Sequence, residues 1–174
     1  YTSGTTGQPK GVMVEHSALI AFCIKNNFLN ISSENVVLGY SNYAFDGSIF
    51  DFFYSLTNGA SVVLIESNSI LEHDVINKNV VAYKIDTLFI TTALFNKYCE
   101  LGAVNPLLNL KNILFGGEKV SSSNVIKFLK YSKCSTLIHV YGPTENIVFS
   151  TYCKLNKNNA MISPIGRALI DKEL

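Results

Sequence analysis

Apolar residues follow two different patterns along this chain. Short runs rich in β-branched and aromatic residues are typical of strands, and longer segments with apolar residues at helical spacing are typical of helices. The strands predicted in this way span residues 36–41, 61–66, 87–91, 112–115, 136–140 and 147–153. The predicted helices span residues 17–28, 48–56, 73–84, 93–101 and 121–131.

The order of these elements indicates the fold class. Strands that are apolar on both faces and alternate with helices form largely parallel sheets covered by helices, so we expect an α/β fold. The pair Asn58-Gly59 is expected to end the helix that precedes the strand at 61–66, and a serine at 121–123 to cap the last helix. In such sheets ligands gather at the carboxyl ends of the strands, so the loops that follow strands are where a site is expected.

Composition and charge exclude several classes of function. The chain has 174 residues, of which 48% are apolar and 16% charged, which is the balance of a globular protein and not of a disordered one. Its formal net charge of +1 provides no basic field for nucleic acid or an anionic membrane, and its apolar runs are too short to cross a bilayer. Four dispersed cysteines, with no histidine at metal-ligand spacing, predict reduced thiols and a cytoplasmic setting.

The first eleven residues have the composition of a phosphate-binding loop. They include three glycines, four Ser or Thr hydroxyls and Lys10, and backbone N–H groups, hydroxyls and an ammonium group all donate to phosphate oxygens. The segment is not a Walker A loop, because Pro9 precedes the lysine and Gly11 follows it. A Ser/Thr/Gly linker is the alternative that composition alone leaves open. The candidate phosphate-binding residues are Ser3, Gly4, Thr5, Thr6, Gly7 and Lys10.

Four motifs in order carry a family resemblance. The string YTSGTTGQPKGVMVEH resembles the phosphate-loop signature of adenylate-forming enzymes, in particular of the adenylation (AMP-binding) domains of nonribosomal peptide synthetases (NRPS). The segments NYAFDGSIFDFF at 42–53, LFGGEK at 114–119 and VYGPTEN at 140–146 are similar to later motifs of that family, and PIGR at 164–167 resembles the approach to the next one.

The resemblance implies which part of such a domain is present. Residues 1–174 would be a partial adenylation domain within the large N-terminal lobe, from the phosphate-binding loop to just before the ribose-binding motif. The first part of that lobe and the small C-terminal lobe, with the catalytic lysine of the family, would lie outside this segment. We therefore expect the 174-residue piece alone to be inactive.

The resemblance also implies a reaction. Family members use ATP and Mg²⁺ to convert a carboxylate into an acyl-adenylate with release of pyrophosphate. In synthetases the aminoacyl group then passes to the phosphopantetheine of a peptidyl carrier domain. The implied protein is a ligase of secondary-metabolite or antibiotic biosynthesis, and its expected partners are an amino acid and the carrier and condensation domains of the same synthetase.

The nucleotide site is carried over motif by motif. The phosphate-binding loop would hold the β- and γ-phosphates, Thr144 would donate to the α-phosphate, and Glu145 would ligate Mg²⁺, which prefers oxygen ligands. We assign direct catalytic roles to Lys10, Thr144 and Glu145. The remaining nucleotide contacts implied are Gly116, Gly117, Glu118, Tyr141 and Gly142. Taken singly, Gly142-Pro143 is a common turn and Glu118 a solvated residue before a helix.

Asp46 would decide the class of substrate. The resemblance implies that an Asp at this place pairs with the α-ammonium group of an amino acid, which a fatty or aryl acid lacks. The alternative is that Asp46 caps the helix that starts near Ser48. Two other functions remain in competition: an acyl- or aryl-CoA ligase of the same superfamily, and a non-catalytic nucleotide-binding module.

The side-chain pocket implied by the resemblance is apolar apart from Asp46. Such a pocket rejects polar side chains, which would lose hydrogen bonds in it. The set is similar to that of isoleucine-activating members, so we expect isoleucine first and then valine or leucine. One methylene is worth only about 1–3 kcal/mol, so these three amino acids compete. A shift of one residue in the match to the family would exchange Phe95 for Leu94. The nine positions are Asp46, Gly47, Phe50, Phe95, Leu114, Gly116, Val140, Val148 and Phe149.

Overall fold

The structure is a computed structural model that describes residues 2–3, 8–26, 28–66, 69, 72–132 and 136–170. For Ser3 it describes the backbone but not the side chain. Two short strands, β1 (Thr2–Ser3) and β2 (Pro9–Lys10), pair antiparallel at the start of the chain. Seven further strands form one sheet in the order β4-β3-β5-β6-β7-β8-β9. These strands are β3 (Val36–Gly39), β4 (Ser61–Leu64), β5 (Thr87–Thr91), β6 (Asn112–Gly116), β7 (Thr136–Tyr141), β8 (Thr151–Leu155) and β9 (Arg167–Ala168).

The sheet is parallel from β4 to β7, and β8 and β9 join it antiparallel. Six α-helices alternate with the strands in the described chain: α1 (His16–Ile20), α2 (Ser55–Thr57), α3 (His73–Ala82), α4 (Thr92–Glu100), α5 (Asn105–Leu108) and α6 (Ser122–Tyr131). Two π-helical segments, Ala21–Lys25 and Ile49–Tyr54, extend α1 and precede α2. The predicted α/β fold with a largely parallel sheet is confirmed.

The sheet buries a separate apolar cluster on each face. Because successive side chains of a strand point to opposite faces, Leu88 and Ile90 pack with α3, α4, α5 and α6, on what we call the α3–α6 face. Leu114 and Val140 pack on the other side, the pocket face, with the π-helical segments. The i→i+5 hydrogen bonding of those segments distinguishes the helices that cover the pocket face from the regular α-helices on the α3–α6 face.

The predicted strand at 147–153 is shorter in the structure. Residues 147–150, the pocket turn, reverse the chain so that β8 returns antiparallel to β7. Ile147 and Val148 have φ values of +47° and +51°, in the left-handed region that β-branched residues rarely adopt. The main-chain N–H of Ser150 donates to Tyr141 O at 2.7 Å, which closes the turn. Residues 147–150 thus have the apolar pattern of a strand but form a turn.

The predicted helix ends are partly confirmed. Gly59 has a φ of +85° after α2 ends at Thr57, as a left-handed stop requires. The last helix begins after Ser121, but the Ser121 hydroxyl lies 2.8 Å from the Ser123 hydroxyl and makes no capping bond to the helix. In the described part of the chain, no helix is long and apolar enough to cross a membrane.

Candidate nucleotide and amino-acid site

A cavity of about 250 Å³ opens at the carboxyl ends of the parallel strands. Its walls come from the ends of β5, β6 and β7, from the pocket turn, and from residues 40–47, which we call the pocket loop. This is the edge where ligands bind in open α/β sheets. The described lining residues are Tyr40, Ser41, Asn42, Phe45, Asp46, Gly47, Phe89, Thr91, Gly116, Gly117, Val140, Gly142, Val148 and Phe149.

Two glycines allow the backbone segments around the cavity to approach one another. A Cβ atom on Gly116 would lie 2.4 Å from Val140 O, and one on Gly142 would lie 2.6 Å from Ser150 N. Both distances are far below van der Waals contact with backbone atoms that cannot move aside. Gly47 is confined in the same way, since its Cβ would lie 2.8 Å from Cε1 of Phe89. The cavity has its shape because side chains are absent at these three places.

The cavity lining is mostly apolar and holds a single carboxylate. Among the described lining residues Asp46 alone bears a charge, and it is half-buried, while Phe89, Val140 and Val148 supply apolar surface. A helical turn begins directly after it, at Gly47, and the N–H of Ile49 in this turn donates to the main-chain oxygen of Asp46 at 2.8 Å. No described hydrogen bond joins the Asp46 carboxylate to that turn, so the structure gives no support to the capping alternative.

Six of the nine residues expected around a substrate side chain line this cavity: Asp46, Gly47, Gly116, Val140, Val148 and Phe149. Two others lie behind the wall. Leu114 is fully buried on the pocket face, and the Phe50 ring lies 6.1 Å from that of Phe89 and 6.0 Å from that of Phe149.

Phe95 does not line the cavity, and this placement is corrected. It lies in α4 on the α3–α6 face, stacked on Phe115 at a ring distance of 4.6 Å and edge-on to Phe128 at 5.3 Å. Leu94, the other residue considered, packs against the same α3–α6 cluster. The reason is that α4 follows β5 and covers the face of the sheet opposite the cavity.

Phe89 occupies the place on the cavity wall that we expected Phe95 to fill. It pairs in register with Leu114, and its neighbours Leu88 and Ile90 point to the α3–α6 face. The alternation of side chains along β5, combined with the site expected at the strand's carboxyl end, was a signal that could have identified it. Tyr40, Ser41 and Thr91 are further lining residues that lie outside the motifs.

Some of the described residues expected to contact the nucleotide line the cavity. Gly117 and Gly142 line it, and Tyr141, at the end of β7, has half of its surface exposed. Thr144 lies in a short 3₁₀ turn and lines a second cavity of about 400 Å³, which shares Phe45 and Asp46 with the first. The pocket loop therefore separates two adjoining spaces.

The charged residues expected near the phosphates are open to solvent. Glu118 and Glu145 are exposed, and so is Lys10 in β2, whose pairing with Thr2 brings together the two strands that flank the glycine-rich loop. The Ser3 side chain, Gly4, Thr5, Thr6 and Gly7 lie outside the described residues. Among the described residues no three His, Cys, Asp or Glu side chains converge on a metal position. A Mg²⁺ held by one carboxylate and by substrate phosphates needs no such group, so Glu145 fits that role.

Tyr40 links the pocket loop to β5. Its hydroxyl accepts a hydrogen bond from Thr91 N at 3.3 Å, and burial raises the pKa of the phenol, so it stays neutral. Thr91 in turn accepts a bond from Leu94 N at its hydroxyl and so caps α4. One wall of the cavity is thus tied to the start of the helix that covers the opposite face.

Comparison with known proteins agrees with this geometry. A model of the family described as AMP-binding enzyme matches residues 1–174. Bacitracin synthase 1 of Bacillus licheniformis is 45% identical over 171 residues, which are 97% of this chain and 3% of that protein. PA1221, an NRPS protein containing adenylation and PCP domains, superposes with a TM-score of 0.84 and 27% identity over 97% of this chain and 34% of its own.

The Klebsiella oxytoca NpsA N-terminal subdomain, in complex with anthranilyl-AMSN, has the same fold, with a TM-score of 0.85 and 21% identity over 97% of this chain and 44% of that one. This likeness agrees with the predicted α/β fold. The family model covers every motif on which the resemblance rested, from the glycine-rich start to the segment at 164–167. This chain belongs to the AMP-binding enzyme family.

Proposed function

We propose that the protein containing this chain activates an amino acid with ATP, giving an aminoacyl-adenylate and pyrophosphate. The observation that carries this proposal is the position of Asp46: a half-buried carboxylate, alone among charged groups in the described lining of an apolar cavity, beside Gly116, Gly117 and Gly142. A cavity of this kind favours a ligand with one cationic group and an apolar remainder.

Different groups of this chain would bind the amino acid and the nucleotide around the reacting carboxylate. Asp46 would bind the α-ammonium and thereby orient the amino acid. Thr144 would donate to the α-phosphate, and Gly116 and Gly117 would let the backbone approach the adenine beside Tyr141, with Gly142 and Glu118 at the rim. Pre-positioned donors of this kind stabilise charge as it develops in the transition state.

The phosphate end would be held by Ser3, Gly4, Thr5, Thr6, Gly7 and Lys10, through backbone N–H groups, hydroxyls and the lysine ammonium. Glu145 would hold Mg²⁺, which neutralises phosphate charge and so makes pyrophosphate a better leaving group. The protein's part is to keep these donors in place around ATP.

The substrate we propose is isoleucine, followed by valine and leucine. Phe89, Val140, Val148 and Phe149 surround a space in which a polar side chain would lose hydrogen bonds. Phe89 takes the position on the wall that we first assigned to Phe95, while Phe50 and Leu114 support the wall from behind.

We further propose that residues 1–174 extend from the phosphate-binding loop to just before the ribose-binding motif of a partial adenylation domain. Its aminoacyl product would pass to the phosphopantetheine of a carrier domain in a synthetase that also contains a condensation domain. The similarity to Bacitracin synthase 1 and to PA1221, a protein containing adenylation and PCP domains, supports this assignment.

The test is ATP–pyrophosphate exchange by the complete adenylation domain with each of the twenty amino acids. We expect the highest kcat/KM with isoleucine, with valine and leucine lower by about 10–100-fold. Asp46→Ala should reduce exchange by at least about 100-fold, because a buried ion-pair partner is lost. Asp74→Ala, which removes an exposed carboxylate of α3, is the matched control and should leave exchange unchanged.

Other outcomes would distinguish the competing functions. Exchange that depends on a fatty or aryl acid and survives Asp46→Ala would identify an acyl- or aryl-CoA ligase. ATP binding without exchange for any acid would identify a non-catalytic nucleotide-binding module. A preference for a charged or aromatic amino acid would overturn the proposed substrate.

A further inference from the structure

The pocket loop contributes six of the described residues that line the cavity, and its middle, from Tyr43 to Phe45, is exposed. Its internal hydrogen bonds are local, such as those from Phe45 N to Asn42 O and from Ala44 N to Asn42 Oδ1, both 2.9 Å. Tyr43 is 88% exposed and Phe45 is 66% exposed. The position of Asp46 therefore depends on how the two ends of the loop are fixed.

Asp51 joins the two ends. It lies in the first turn of the π-helical segment that follows the loop, and its Oδ2 accepts the N–H groups of Tyr40 at 3.2 Å and of Ser41 at 2.9 Å. These two donors come directly after β3 ends at Gly39, where the ladder to β4 stops. One carboxylate oxygen thus serves two N–H groups that strand pairing no longer satisfies.

The surroundings of Asp51 are closely packed. The residue is fully buried, and a Cβ atom on Gly39 would already lie 3.8 Å from the Asp51 Cβ and 2.8 Å from Val62 Cγ1. Its Oδ1 has no hydrogen-bond partner in the described part of the chain. Burial raises the pKa of Asp51 to about 6, and hydrogen bonds from Ser41 and Tyr40 offset part of that rise.

We propose that Asp51 is a positioning residue of the amino-acid site: by accepting the two N–H groups it closes the pocket loop and fixes Asp46 and Phe45 at the cavity. This inference rests on the proposed function. Asp51 does not line the cavity, so its effect passes through the loop. The nucleotide glycines are at the ends of β6 and β7, whereas these bonds are made at the end of β3, so the amino acid and ATP should respond differently to their loss.

The test compares three substitutions in the complete adenylation domain. Asp51→Asn keeps an acceptor of the same length, Asp51→Leu removes it at similar size, and Asp51→Ser leaves a hydroxyl too short to reach both N–H groups. We expect the KM for the amino acid to rise by about 10–100-fold in the Leu variant and by less in the Ser variant, from the loss of hydrogen bonds to a charged acceptor. The KM for ATP should stay within about threefold, and Asn should restore both values.

Each outcome has a defined meaning. If the Leu variant does not fold, as judged by near-ultraviolet circular dichroism, the Ser variant decides. A folded Leu or Ser variant with an unchanged amino-acid KM overturns the role of Asp51, and so does an equal rise in the two KM values. If the wild-type domain shows no amino-acid-dependent exchange, the proposed function itself fails and this inference fails with it.

Discussion

The two faces of the sheet are built differently, although the same five parallel strands supply both. On the α3–α6 face, regular helices bring side chains such as Phe95 and Tyr98 into an apolar cluster. On the pocket face, the cover consists of π-helical segments, a left-handed turn at Ile147 and Val148, and the buried carboxylate of Asp51. Each of these irregular features is costly, and all of them lie at or directly behind the cavity wall. We infer that one face mainly stabilises the fold and that the other shapes the site.

The largest expected effects come from a pair of substitutions, one on each face of the sheet. Phe95→Ala removes a fully buried ring from the α3–α6 face and should lower the free energy of unfolding by about 3–5 kcal/mol. Because Phe95 does not line the cavity, the order of preference among amino acids should not change. Urea denaturation and pyrophosphate exchange on the complete domain measure the two quantities.

Phe89→Ala is the matched change on the pocket face. It enlarges the cavity, so the preference for isoleucine over phenylalanine should fall by about tenfold or more. If Phe95→Ala altered the preference and Phe89→Ala did not, the assignment of the faces would be reversed.

These two phenylalanines also indicate how far sequence reasoning extends. The strand patterns were sufficient for the fold class and for the edge of the sheet where a site is expected, whereas Asp46 and Gly116 came from the family resemblance and do line the cavity at that edge. Phe95 was misplaced because it was carried over by motif position without deciding which face its helix covers. Side chains alternate between the two faces of the sheet along β5. Once α4 is known to cover the α3–α6 face, this alternation places Phe89 on the cavity.

Two other features could not be predicted from local pattern. Ile147 and Val148 have strong strand propensity, and their left-handed turn exists only because tertiary contacts, such as the bond from Ser150 N to Tyr141 O, override it. Asp51 sits among apolar residues in a helical pattern, where a carboxylate is expected to face solvent. Its burial follows from the two N–H groups at the end of β3, which are remote from it in sequence.

The second prediction uses pH to separate the faces. Since the pKa of Asp51 is about 6 in the folded state against an ordinary value of 3.8 for an aspartate in water, the folded state retains the proton between these values. The unfolding free energy of the wild-type domain should therefore fall relative to Asp51→Asn as pH rises from 4 to 7, by up to about 3 kcal/mol for a shift of about two units.

The neighbouring groups do not interfere with this measurement. Tyr54 and Cys23 on the pocket face, and Tyr40 beside the cavity, have pKa values raised by burial and stay neutral in this range. On the α3–α6 face, burial raises the pKa values of Tyr98 and Cys99 to about 12. Urea midpoints of the two proteins at each pH give the difference, in which shared groups cancel. A difference that stays constant from pH 4 to pH 7 would contradict the buried charge.

The smallest expected effect concerns left-handed backbone strain, which occurs both between α3 and β5 and in the pocket turn. Lys84, between α3 and β5, has a φ of +53° and is exposed, whereas Val148 has a φ of +51° and lines the cavity. Asn tolerates the left-handed region better than either residue, so Lys84→Asn should raise the free energy of unfolding by about 1 kcal/mol and leave exchange unchanged.

Val148→Asn relieves the same strain but places an amide in an apolar wall, so the KM for isoleucine should rise by about tenfold. If the strain at the pocket turn were incidental, Val148→Asn would behave like Lys84→Asn, with a gain in stability and an unchanged KM. If the two variants differ as expected, the strained turn serves to place Val148 and Phe149 against the substrate.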